Sequence, residues 1–150
     1  MKRISVFILL FTFSTSHFSF AEEKTVFKKL ITTKCLKCQF GPGASANWKQ
    51  GQLKLEKDNC SLTIIFDSID IDKGKARMIA NQGSADVMVI ATPQSITFIE
   101  PIGSGNWCFT SVFPNYSKVT GDFIAVISRH INMPGGPLPS QYHGTCKIWE

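Results

Sequence analysis

Beyond residue 13 the sequence has no apolar run near the roughly 20 residues that a membrane-spanning helix requires. It lacks a Gly-x-Ser-x-Gly nucleophile elbow, so Ser128, Ser140, His130 and His143 supply the residue types of a hydrolase without its framework. Cys35-Leu36-Lys37-Cys38 is followed by Gln39 and not His, which excludes a c-type haem attachment. No second paired-ligand motif accompanies it, so a zinc site is not indicated. Asp67, Asp70, Asp72 and Gly74 resemble part of a calcium loop, but Asn81 stands where the closing Glu belongs, and an acidic hairpin is the simpler reading. Neither an internal repeat nor a nucleic-acid-binding module is visible, and the net charge of +5 is mild.

What is present begins with an export signal. Lys2 and Arg3 precede an apolar stretch over residues 4–13, and Ser19-Phe20-Ala21 offers small residues at the −3 and −1 positions of a cleavage site. Residues 1–21 are therefore expected to be a signal-peptide helix, and residues 22–150 a single mature domain. Position 22 is Glu and not Cys, so a lipid anchor at that point is not expected. The signal carries two of the 16 basic residues and none of the 11 acidic ones, which leaves a mature charge of +3. Lys24, Lys28, Lys29, Lys34 and Lys37 cluster near the mature start and read as a solvated face.

The five cysteines all follow the signal, in a chain expected to be periplasmic or secreted, where disulfides persist. The expectation is that Cys60 and Cys146 pair with Cys35 and Cys38, in an order that sequence leaves open, and that Cys108 is a buried free thiol.

The mature chain reads as short runs rich in Ile, Val, Phe and Thr, divided by turn residues roughly every 8–12 positions. Strands are expected over 26–33, 36–40, 52–56, 60–65, 75–80, 86–91, 95–100, 107–113, 122–131 and 142–149. Short connections favour antiparallel neighbours. The expected fold is all-β, an antiparallel meander of about 8–10 strands forming a barrel or a sandwich. Residues 132–141, with Pro134, Pro137 and Pro139, are expected to form an irregular loop.

Four blocks, residues 66–89, 96–106, 123–130 and 139–146, resemble a group of small exported bacterial proteins that carry no assigned activity. The meander also resembles calycin barrels such as lipocalins, which implies architecture only. Their Gly-x-Trp hallmark is replaced here by Ala46-Asn47-Trp48.

If the strands around the proline-rich segment pair, Arg129, His130, Tyr142 and His143 gather near one end of the sheet. Arg129 offers a planar donor fork to an anion. The alternative is that Arg129 pairs with a carboxylate such as Glu100 while both histidines face solvent. Trp48, Trp107, Trp149 and the phenylalanines could line an apolar cavity or form plain core. The expected function is thus an exported, non-catalytic binding protein for a small apolar or anionic ligand, with no metal, cofactor or nucleic acid and no membrane span after signal cleavage. The alternatives are a protein-interaction or inhibitor domain that uses the 132–141 loop, and an unrecognised hydrolase.

Overall fold

A computed structural model of the chain describes residues 18–103, 105–117 and 119–150. The first 17 residues of the expected signal peptide lie outside the described residues. Among those described, one helix, α1 (Phe18–Thr32), is followed by eight strands: β1 (Leu36–Lys49), β2 (Gln52–Asp70), β3 (Lys75–Ala80), β4 (Gly83–Thr92), β5 (Ser95–Pro101), β6 (Trp107–Tyr116), β7 (Phe123–Met133) and β8 (Gly136–Ile148). Each strand pairs antiparallel with the next, and β8 pairs with β1, so the meander closes into a barrel.

Closure follows from period-two patterning. Leu36, Cys38 and Phe40 of β1, Ile64 and Phe66 of β2, and Phe123, Ala125 and Ile127 of β7 alternate with more exposed neighbours and point inward. The Phe66 and Phe98 rings stack across the interior with centroids 3.9 Å apart. The closing seam joins β1 to β8, where Cys38 lies directly opposite Cys146 in the register, and these two form a buried disulfide. At the seam a Cβ on Gly144 would collide with the Gln39 carbonyl oxygen and the Phe40 ring, so glycine is what lets the two strands approach.

Register also corrects the expected bridges. Cys35 precedes β1 and Cys60 lies at the β1–β2 bulge near Gly41, about 20 Å along the strand from Cys35. Both carry free thiols, as Cys108 does.

Three local expectations change. Residues 26–33 were expected to be a strand because of their β-branched content, yet they belong largely to α1. Val26 and Leu30 are four apart and both buried, and they close one end of the barrel against β5 and β6. The runs over 52–56 and 60–65 are one strand of 19 residues, because Lys57, Asp58 and Asn59 pair with β1 instead of turning.

The segment 132–141 is not a loop. Asn132 pairs with Pro137 and His130 with Pro139, and the chain reverses at Pro134-Gly135. The prolines are tolerated because β1 pairs with β8 only from Ser140 onward, so their missing donors fall where β8 is an edge.

Candidate functional site

The two ends of the barrel differ. At one, α1 and the disulfide sit over a packed interior. At the other, a cavity of about 410 Å³ opens between β2 and the β3–β4 hairpin. Leu62, Ile64, Met78, Ile102 and Ile127 supply its apolar wall, while Glu100, Cys108 and Arg129, with Asn81, Gln82 and Ser84 of the hairpin, supply polar groups.

The strand register places those polar groups. Glu100 pairs with Cys108, Cys108 with Arg129, Arg129 with Ser140, Ser140 with Ser45, and Ser45 with Glu56. These residues form one lateral row around the mouth, all on the inner face. One step deeper, Thr110 pairs with Ile127, Ile127 with Tyr142, Tyr142 with Gly43, and Gly43 with Asp58. The Tyr142 hydroxyl donates to Asp58 Oδ2 at 2.7 Å across that second row.

Glu100 and Arg129 lie two strands apart, about 10 Å between backbones, with Cys108 between them. Among the described residues Arg129 makes no side-chain hydrogen bond and has no carboxylate within 4.0 Å. The guanidinium is half-buried at the cavity wall, where lowered dielectric strengthens any charge-assisted bond it makes. Burial holds the Glu100 carboxyl above its ordinary range, and the nearby Arg129 charge draws it partly back.

The thiols are poorly suited to nucleophilic chemistry. Burial, reinforced by Glu100, pushes Cys108 up to about 12. Burial and the Asp58 charge also raise Cys60. Both stay protonated at neutral pH, and a protonated thiol is a weak nucleophile. Burial and the bond to Asp58 likewise raise the Tyr142 phenol.

The four residues singled out by sequence divide into two pairs. Arg129 and Tyr142 point inward, whereas His130 and His143 are exposed on the outer wall, as strand alternation requires. His130 packs beside Phe109 there, with ring centroids 5.3 Å apart. Ser140 lies at the mouth and His143 on the opposite face, so these two are not brought together; Ser128 stands on the outer face with the histidines, where its hydroxyl accepts from Gln141 Nε2 at 3.0 Å.

Two of the three aspartates of the calcium-like stretch are occupied by basic partners. Arg77 donates to both Asp67 oxygens, at 2.9 and 2.6 Å, and Asp70 pairs with Lys73 at 3.0 Å. All three tryptophans are exposed, so none lines the cavity. Sequence reading missed Glu100 as a cavity residue, missed Asp58 as the partner of Tyr142, and took Cys60 for a bridge cysteine when it is a free thiol. Their signal was parity: each lies an even number of residues from a buried position on its own strand, Glu100 from Phe98 and Cys60 from Ile64.

Comparison with known proteins finds no matching family model, no similar curated protein and no similar solved structure.

Proposed function

We propose that this chain is an exported, periplasmic or secreted, non-catalytic binding protein for a small ligand with an apolar body and an anionic group. The observation that carries the reading is the Arg129 guanidinium, with no side-chain hydrogen bond or ion pair among the described residues, on the wall of a cavity of mixed apolar and polar lining at one barrel mouth. A half-buried cation that no carboxylate contacts directly gains from an anion that can neutralise it. A carboxylate, sulfonate or phosphate would do so through the planar fork, and the aliphatic wall would take the remainder of the molecule.

Export is supported by the signal-like first 21 residues and by the Cys38–Cys146 disulfide. Among the described residues no helix is long and apolar enough to cross a membrane. Cleavage after Ala21 would retain Val26 and Leu30, so the closed end would survive it.

Native mass spectrometry of the protein recovered from its exporting host tests the proposal. The wild type should retain a small anionic molecule that Arg129→Ala loses. A wild-type protein that arrives empty and also fails to bind anilinonaphthalene sulfonate would sink the reading.

A further inference from the structure

β2 is 19 residues long, yet β3 pairs with it only between Ile65 and Asp70. Residues 52–64 hydrogen-bond to β1 along one edge. Along the other edge no strand pairs with them among the described residues. An unpaired edge of this length presents a row of backbone donors and acceptors and is a template for another strand.

The side chains along this edge restrict what can add to it. Lys54, Glu56 and Asp58 share the inner face, and Leu53, Leu55 and Lys57 the outer. Leu55 is 72% exposed and Leu53 52%, and Trp48, opposite Leu53 on β1, is 45% exposed. An apolar outer stripe thus lies over an inner row of alternating sign. Lys54 and Glu56 already pair along the strand at 3.1 Å.

We infer that the occupant of this edge is a second copy of the chain, with β2 paired antiparallel to β2 about a two-fold axis at Leu55. In that register Lys54 of each copy faces Glu56 of the other, and Leu55 meets Leu55 on the outer face. An axis at Lys54, Glu56, Lys57 or Asp58 places that charge opposite itself. An axis between two residues would set an inner-face side chain opposite an outer-face one, which strand alternation excludes. An axis at Leu53 brings no Lys–Glu pair together. Like charges directly opposite on paired strands are destabilising and opposite charges stabilising. A two-fold contact is self-complementary by construction, and the Lys54-Leu55-Glu56 triplet has that property. The paired stretch, residues 52–58, ends before Leu62 and Ile64, so the cavity mouth stays open in the dimer.

Sedimentation velocity over a concentration series tests this with full-length mature protein. The wild type should form a concentration-dependent dimer. Lys54→Glu alone and Glu56→Lys alone should each weaken dimerisation about tenfold, because two attractive pairs become repulsive. The Lys54→Glu/Glu56→Lys double variant should restore it. These positions are exposed or half-buried on the ribbon, and unchanged circular dichroism confirms folding. Leu55→Cys should give, under mild oxidation, a disulfide between the two copies at position 55, detected by mass spectrometry as a symmetric cross-linked peptide. A protein that stays monomeric, a dimer indifferent to both single charge reversals, or a double variant that does not recover would each overturn the inference. Addition of a foreign extended peptide to the edge of a monomeric protein would overturn it as well.

Discussion

The two ends of the barrel are built from the same eight strands and treat their interiors in opposite ways. At the closed end Leu30 has no exposed surface, the Phe66–Phe98 stack fills the interior nearby, and a buried disulfide fixes the β1–β8 seam. At the open end the strands diverge, β2 leaves β3 after six residues of overlap, and the inner face changes from aliphatic to charged. In this contrast one half of the barrel holds the chain together, and the other is free to carry groups that a packed core could not accommodate.

The largest effects should come from the closed end. Opening the Cys38–Cys146 bridge, which spans 108 residues of sequence, should cost up to about 4–5 kcal/mol in urea unfolding. Cys38→Ala/Cys146→Ala is the cleaner version, since free Cys35 and Cys60 could otherwise reshuffle with the opened bridge. Leu30→Ala should follow, at about 2–5 kcal/mol, because α1 is held by few large side chains and the void lies against β5 and β6. Neither change should alter the affinity of the mouth for an anionic probe in protein that remains folded. A parallel loss of binding would show that the two ends are not separable.

Intermediate effects belong to the mouth and are chemical. Glu100 is raised by burial, so between its ordinary pKa and its raised value the folded protein holds more protons than the unfolded chain. Its contribution to stability is therefore fully present below the ordinary value and is lost as pH rises through the raised one. Anion binding should show the same sense: affinity rises as pH falls through the Glu100 titration, because the repelling carboxylate beside Arg129 is neutralised. Glu100→Gln should flatten this dependence, as followed by probe fluorescence across pH.

Asp67 and Asp70 run the other way. Their hydrogen bonds to Arg77 and Lys73 hold both carboxyls below the ordinary range. The stability they lend is present at neutral pH and is lost as pH falls through those lowered values. The smallest effects are expected at His130→Ala and His143→Ala. Both side chains stand outside the barrel, and neither change should shift probe affinity measurably.

Much of the closed architecture was legible in the sequence. Residues 75–80 and 95–100 alternate cleanly between turns and become β3 and the bulk of β5, because a half-buried strand writes its period into its residues. The open end was less legible. Gly41-Pro42-Gly43 and Lys57-Asp58-Asn59 have turn composition but lie within long strands, since a bulge and a neighbouring strand absorb their irregularity. Val26 and Leu30 carried a helical spacing that β-branched composition obscured, and only the barrel end they fill decides between the two.

Arg129 was visible as a candidate because a guanidinium near a strand end is conspicuous. Its separation from His130 and His143 was implicit in strand alternation. Glu100 was named only as an alternative ion-pair partner; that it stands in the same inner row with Cys108 between the two depends on a register two strands away.

The central claim, that the open end recognises an anion through Arg129, is tested most directly by fluorescence titration with anilinonaphthalene sulfonate. Wild-type protein and Arg129→Gln should be compared at neutral pH, with urea unfolding midpoints measured in parallel. Loss of a charge-assisted bond should weaken the probe's affinity about tenfold or more while the midpoint holds or rises. Equal affinity in the two proteins at equal stability would contradict the account.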